Sequence, residues 1–224
     1  MGSSRKLPVL KAVIFDMDGV ITMTMPYHVR AWTRVFAGAG IHVPSFEIYA
    51  REGQKGLVSV MEIFARHGKP LSAMRARELL AKKEIIFKRI VRTRFVPGAR
   101  RFIKTCCARG VRLALVTGTA RHELEKILPK ELIARFEVIV TGNDVKNGKP
   151  HPEPYQKALK ALRMPGGGAV VVENAPFGIT SAVRAGLVCV ALETSLPKSY
   201  LKEADKVVSD YHGLEKFISQ HYSL

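Results

Sequence analysis

The chain has few cysteines, a single tryptophan and no long apolar segment. Two of its three cysteines, Cys106 and Cys107, are adjacent; this spacing excludes a disulfide framework and favours a reducing compartment. No apolar run approaches the roughly 20 residues of a membrane-spanning helix. The polar, basic segment 1–6 also lacks the apolar core of a signal peptide. We therefore expect a cytoplasmic protein with no membrane partner.

Acidic residues are also scarce. The 19 Asp and Glu residues stand against 36 Lys and Arg, which gives a formal net charge of +17. The excess is concentrated in residues 75–104, where Glu78 and Glu84 are the only acids. Such a field attracts phosphorylated metabolites or nucleic acid, but no aromatic platform is interleaved with it. We interpret it as a solvated helical face and expect no nucleic-acid partner; a non-catalytic nucleic-acid-binding protein is the remote alternative.

Apolar periodicity divides the chain into two kinds of segment. A short strand is predicted at residues 10–15, and helical spacing then repeats with no strand between residues 22 and 94. From residue 95 onward strands and helices alternate, and the strands are predicted at 111–116, 137–140, 169–172, 188–192 and 206–209. This alternation predicts an α/β fold with a Rossmann-like, doubly wound parallel sheet. We predict a core domain of residues 1–21 and 95–224 and an inserted small α-helical domain of residues 22–94.

Polar side chains follow several of the predicted strands. Asp16 and Asp18 follow the first strand with one residue between them, so their carboxylates point the same way. Two carboxylates this close repel each other, and a bound cation or a shared proton relieves the repulsion. Ligands of such a sheet bind outside the carboxyl ends of its strands. The other predicted strand ends supply Thr117, Gly118 and Thr119, then Lys149, and finally Glu173 and Asn174. Carboxylates, one ammonium and fixed donors are the parts that phosphoryl transfer requires.

Each of these residues has a plausible chemical part. Asp16 is suited to nucleophilic attack on phosphorus, which gives an aspartyl-phosphate. Asp18 can protonate the leaving oxygen and later deprotonate water. Asn174, with Glu173 acting through water, would complete a set of oxygen ligands for Mg²⁺.

The order of these motifs resembles the haloacid dehalogenase superfamily. The segments that carry the resemblance are DMDGV at 16–20, Thr117, GKPHP at 148–152 and VEN at 172–174. YHVRAW at 27–32 is similar to the subgroup of β-phosphoglucomutases and sugar-phosphate phosphatases, whose helical cap covers the core. The resemblance implies that Asp16 is nucleophile and metal ligand, that Asp18 is acid/base and offers its backbone carbonyl to Mg²⁺, and that Thr117 holds the phosphoryl group. It also implies that Lys149 tethers the phosphoryl group to Asp16, and that Asn174 stands where the family usually has a metal-binding Asp.

The resemblance extends to the substrate side of the site. Residues 52–56 are similar to a substrate-specificity loop, which makes Gly53 a candidate contact, and Lys83 is a candidate phosphate-binding cation. Gly118 and Thr119 would add donors, and His28 either touches substrate or starts a helix with its hydrogen bond satisfied. We expect a monomeric, Mg²⁺-dependent phosphohydrolase for a small phosphorylated metabolite such as a sugar phosphate. The alternative is a β-phosphoglucomutase.

Overall fold

The structure is a computed structural model that describes residues 7–164 and 168–223. A six-stranded sheet lies at its centre, and all its strand pairs are parallel. The strands are β1 (Ala12–Phe15), β2 (Arg112–Val116), β3 (Val138–Val140), β4 (Ala169–Glu173), β5 (Val188–Leu192) and β6 (Lys206–Val208). Their order across the sheet is β3-β2-β1-β4-β5-β6. The predicted α/β fold with a doubly wound parallel sheet is therefore confirmed.

The central strands are buried on both faces. β1 reads AVIF and β4 reads AVVVE, and every residue of both is buried, as expected for parallel strands covered by helices on each side. Val13 and Phe15 pack into the apolar cluster that includes the helices after Gly98 and near the C-terminus. Ala12 and Ile14 pack into the cluster on the opposite face. The alternation of side chains thus divides the core into two layers.

Ten α-helices accompany the sheet in the described residues. They are α1 (Met25–Gly38), α2 (Ser45–Ala50), α3 (Gly56–Arg66), α4 (Ala73–Ile90), α5 (Ala99–Ala108), α6 (Arg121–Ile127), α7 (Lys130–Ile133), α8 (Glu153–Ala161), α9 (Pro176–Arg184) and α10 (Tyr211–His221). The short helices α2 and α7 were not predicted, because six and four residues are too few to show a helical period. No helix in these ranges is both long and apolar enough to cross a membrane.

Helices α1 to α4 lie between β1 and β2 in the chain and form an apolar cluster of their own. Its largest side chains are Trp32, Phe36 and Phe64, and Trp32 stacks on Phe36 with ring centroids 5.1 Å apart. We refer to these four helices and their loops as the cap. The division into a cap domain and a core domain at residues 22 and 94 stays a prediction.

Candidate active site

The sheet order gathers the predicted site residues at one edge. β1 lies between β2 and β4, with Phe15 in register with Leu115 and Val172. Asp16 follows directly, and its backbone N–H still donates to the carbonyl of Val172 at 3.0 Å. Thr117 follows β2, and Asn174 follows β4. Three neighbouring strands therefore deliver their first polar side chains to the same carboxyl-end crevice.

A buried lysine links two of these strand ends. Lys149 Nζ lies 2.6 Å from Asp16 Oδ1 and 2.6 Å from Glu173 Oε1, and it also donates to the carbonyl of Val116 at 3.2 Å. The Lys149 side chain is 1% exposed. Burial opposes its charge, but the two carboxylates outweigh burial and raise the pKa of Lys149 above its ordinary value. The two carboxylates therefore stabilise the ammonium form of Lys149.

The Glu173 carboxylate is occupied by protein donors. Besides Lys149, its Oε1 accepts from the hydroxyl of Tyr155 at 2.7 Å, and its Oε2 accepts from the backbone N–H of Asn174 at 2.9 Å. It lies so close to α9 that a Cβ on Gly178 would be 1.8 Å from Oε1. Glu173 thus anchors Lys149. The predicted contact of Glu173 with Mg²⁺ through water stays a prediction.

Asp18 is held in a network of hydroxyls. Its Oδ1 accepts from the hydroxyl of Thr24, and its Oδ2 accepts from that of Thr119 at 3.1 Å. His28 Nε2 lies 3.4 Å from Oδ1. Burial alone would raise the pKa of Asp18, but His28 and the two hydroxyls lower it below its ordinary value. These contacts favour the carboxylate form of Asp18, the form that acts as a base.

His28 occupies the junction between Asp18 and the cap. Its ring stacks on Phe87 of α4 with centroids 4.0 Å apart. Burial and the charge of Lys83 lower the pKa of His28 and outweigh Asp18. His28 lies in the first turn of α1, but its Nε2 is buried and has no hydrogen-bond partner among the described residues. The alternative of a helix-starting histidine with its hydrogen bond satisfied is therefore wrong at this nitrogen, and substrate contact stays a prediction.

Two of the predicted metal ligands present unpaired oxygens. Asp16 Oδ2 and Asn174 Oδ1 are buried, and neither has a hydrogen-bond partner in residues 7–164 and 168–223. Burial, together with Glu173 and Asp18, outweighs Lys149 and raises the pKa of Asp16 well above its ordinary value. Buried acceptors in an excess of negative charge are the environment that a hard cation relieves. The residues present therefore fit Mg²⁺.

The amide of Asn174 is oriented by two partners. Its Nδ2 donates to Ser195 Oγ at 2.7 Å and to Glu52 Oε2 at 2.9 Å, which leaves Oδ1 free. Sequence reasoning missed both partners. Ser195 could have been predicted, because it follows the carboxyl end of β5, where ligands of a parallel sheet bind. Glu52 belongs to the cap and does not follow a strand.

A loop of the cap lies directly on the core. This cap loop, residues 51–55, connects α2 to α3. A Cβ on Gly118 would lie 2.6 Å from the carbonyl oxygen of Gly53, and a Cβ on Gly142 would lie 2.4 Å from the carbonyl oxygen of Gly118. Lys55 Nζ also donates to the backbone carbonyls of Val145 and Lys146. Three glycines in contact thus let the backbone of the loop touch the backbone of the core.

A cavity of about 320 Å³ lies between cap and core. It is lined by Asp18 and by all five residues predicted to contact substrate, namely His28, Gly53, Lys83, Gly118 and Thr119. Asp16, Thr117, Lys149 and Asn174 are not part of its lining; the cap loop lies against two of them, with Gly53 next to Lys149 and Glu52 hydrogen-bonded to Asn174. The structure therefore brings the predicted residues together in two adjoining compartments; their roles stay predictions.

Several charged side chains in the cavity wall are nearly buried, and Lys83 is one of them. Lys83 is 6% exposed, and its Nζ lies 4.9 Å from the ring centroid of Phe87 and 5.5 Å from that of Trp32. Burial lowers the pKa of Lys83 from its ordinary value. A cation between two aromatic rings at a cavity wall suits an anionic or hydroxyl-rich ligand.

Known proteins share this fold and sequence pattern. A sequence profile of haloacid dehalogenase-like hydrolases matches residues 10–186. A phosphorylated carbohydrates phosphatase of Thermotoga maritima is 32% identical over 185 residues, covering 80% of this chain and 82% of the relative. A validoxylamine A 7′-phosphate phosphatase of Streptomyces hygroscopicus subsp. limoneus is 30% identical over 203 residues, covering 89% and 93%.

A similar solved structure is that of a Bacteroides vulgatus protein provisionally named a β-phosphoglucomutase. The two superpose with a TM-score of 0.84 at 29% identity, over 96% of this chain and 89% of the other. The family suggested by the motifs DMDGV, GKPHP and VEN is thereby confirmed. This chain belongs to the haloacid dehalogenase-like hydrolases.

Proposed function

We propose that this protein is a Mg²⁺-dependent phosphohydrolase that acts on a small phosphorylated metabolite, a sugar phosphate, through an aspartyl-phosphate. The observation that carries the proposal is the Asp16 carboxylate, held by Lys149 at 2.6 Å through one oxygen while the other is unpaired among the described residues. The named activities of the two phosphatase relatives support the substrate class.

The residues of the chain divide the reaction between them. Asp16 attacks phosphorus as the bond to the leaving oxygen breaks, and water later releases phosphate from the aspartyl-phosphate. Asp18, at the cavity wall, gives a proton to the leaving oxygen when it is protonated and then, as the carboxylate, accepts one from the attacking water. Lys149 and Thr117 neutralise and hold the phosphoryl group. Mg²⁺ held by Asp16, Asn174 and the Asp18 carbonyl would supply further neutralisation of charge.

The decisive test is phosphate release from a panel of sugar phosphates in the presence of Mg²⁺. We expect the wild-type protein to hydrolyse at least one of them and Asp16→Asn to lose about a thousandfold or more of kcat. Asp210→Asn is the matched control: Asp210 caps α10 by accepting from Gly213 N–H, and Asn caps a helix equally well. An Asp16→Asn variant with wild-type turnover would contradict the proposal. Absence of hydrolysis with a salt-sensitive gel shift would instead support the nucleic-acid alternative.

A β-phosphoglucomutase is the second candidate. Asp16 is not part of the cavity lining, and the cap loop lies on its partner Lys149; such a cover would protect an aspartyl-phosphate from water until a second sugar hydroxyl attacks. β-Glucose 1-phosphate supplied with a bisphosphate primer distinguishes the two. Glucose 6-phosphate as product identifies a mutase, and inorganic phosphate identifies a phosphatase.

A further inference from the structure

The cap loop places a carboxylate inside the crevice of the core. Glu52 is 6% exposed although it lies in a loop, and its Oε2 accepts from Asn174 Nδ2 at 2.9 Å. Its other oxygen, Oε1, is buried and has no hydrogen-bond partner in the part of the chain that the structure describes. Asp16 Oδ2 and Asn174 Oδ1 are also buried without a hydrogen-bond partner among the described residues. Three unpaired acceptor oxygens therefore belong to one connected group of side chains.

The group carries an excess of negative charge. Glu52 accepts a hydrogen bond from the side chain of Asn174, whose backbone N–H donates to Glu173, and Lys149 joins Glu173 to Asp16. Among the described residues, Lys149 is the only lysine or arginine that forms an ion pair with Asp16, Asp18, Glu52 or Glu173, and it pairs with two of them, Asp16 and Glu173. A single ammonium leaves the crevice short of positive charge, and a buried carboxylate without a counter-ion is unfavourable.

We propose that Glu52 supplies the second carboxylate of the cation site, in place of the one that Asn174 lacks, so that binding of the cation and docking of the cap loop are coupled. This inference rests on the cation site of the proposed function and adds a ligand from the cap. Asp16 and Glu52 then contribute two negative charges and Asn174 a neutral amide oxygen. Mg²⁺ accepts such an all-oxygen set.

The coupling works in both directions. With the loop docked, Glu52 completes the site and the cation binds more tightly. Without the cation, Glu52 and Asp16 repel each other and the docked loop is less favourable. By thermodynamic reciprocity, the factor by which the docked loop raises cation affinity equals the factor by which the bound cation favours docking of the loop.

The test measures binding of Mg²⁺ alone, without substrate, by isothermal titration calorimetry. We expect Glu52→Gln to weaken the affinity about tenfold or more, because Gln keeps the shape and can still accept from the Asn174 amide but has no charge. In the double variant Glu52→Gln with Asn174→Asp, the restored carboxylate should return the affinity to within about threefold of wild type. Glu78→Gln is the matched control, since Glu78 is an exposed cap residue paired with Arg75.

Two outcomes overturn the inference. If Glu52→Gln binds Mg²⁺ as tightly as wild type, Glu52 holds the cap loop on the core through its hydrogen bond with Asn174 but does not bind the cation. If the double variant does not regain affinity, the loss in the single variant is not due to the missing charge at the cation site.

Hydrogen exchange of the cap loop provides a second readout on the wild-type protein. Amides of residues 51–55 should exchange more slowly when Mg²⁺ is added, and this protection should be smaller in Glu52→Gln. Unchanged exchange in the wild type at saturating Mg²⁺ would overturn the coupling even if Glu52→Gln failed to fold.

Failure of the proposed function would be recognised separately. Binding that depends on Glu52 in a protein that releases no phosphate from any sugar phosphate refutes the phosphatase assignment and supports the cation site. Phosphate release by a protein whose Mg²⁺ affinity does not depend on Glu52 supports the phosphatase assignment and refutes the role of Glu52 at the cation site.

Discussion

Gly53 of the cap loop lies against Lys149 of the core so closely that a Cβ on Gly53 would be 2.5 Å from Lys149 Cδ. The backbone of Gly53 is also left-handed, with φ of +76°. Both features require glycine, because any other residue would have to move the lysine and accept a strained backbone. The loop thus covers the side chain that holds the proposed nucleophile.

Substitution Gly53→Ala tests whether this close approach matters for turnover. A left-handed alanine costs about 1 kcal/mol or more, and the added methyl collides with Lys149, so docking of the loop should weaken. We expect kcat/KM for a sugar phosphate to fall about tenfold or more. Gly38→Ala is the control, because a Cβ on this glycine of α1 meets nothing within 4 Å in the described structure. An unchanged kcat/KM in Gly53→Ala would show that the loop does not dock on Lys149 during turnover.

Removal of the buried ammonium should strongly destabilise the fold. Lys149→Met leaves the carboxylates of Asp16 and Glu173 buried without their cation. Breaking a buried ion pair in this way costs about 3–5 kcal/mol, which urea unfolding at neutral pH would measure. Adding Glu173→Gln to this variant should recover part of the loss. Lys160→Met, at an exposed site in α8, should change the stability by less than about 0.5 kcal/mol.

Lys83, in the cavity wall, should destabilise the fold and favour binding of the substrate. Its burial lowers its pKa, so Lys83→Met should raise the free energy of unfolding. The same variant should raise KM for a sugar phosphate about tenfold with little change in kcat, because a cation that only binds the ligand does not act on the transition state. The exposed neighbour Lys82 supplies the control Lys82→Met, with neither effect. A lower stability in Lys83→Met would contradict the expected cost of burying the charge.

The cysteines should differ in reactivity. Burial, with Cys107 beside it, raises the pKa of Cys106 to about 12, and burial raises that of Cys189 well above its ordinary value. Because the thiolate is the reactive form, Cys106 has about one thiolate in ten thousand molecules at about pH 8. An aromatic disulfide reagent should therefore modify the half-buried Cys107 first. Cys107→Ser should abolish the fast phase, and denaturant should expose the remaining thiols. A fast phase that persists in Cys107→Ser would contradict this order.

The edge of the sheet was predictable from the sequence, whereas the contacts from the cap were not. Asp16, Thr117 and Asn174 follow buried apolar runs, and a parallel sheet must bring the carboxyl ends of such runs together. The sequence indicates residues 52–56 as a substrate loop, but no local pattern encodes the contact of Glu52 with Asn174, which forms because the cap folds back on the core. Tyr155 reaches Glu173 for a similar reason, since a buried tyrosine hydroxyl finds its partner through tertiary packing.

The paired glycines of the cap loop and the core have a consequence for insertions and deletions. Gly53 follows Glu52 in the loop, and Gly118 follows Thr117 in the core, so contact between the two glycines fixes the residues beside them in a single register. One residue added or removed between α2 and α3 would shift that register and bring another side chain opposite Asn174. The length of this connection is therefore constrained as tightly as the identity of any single residue in it.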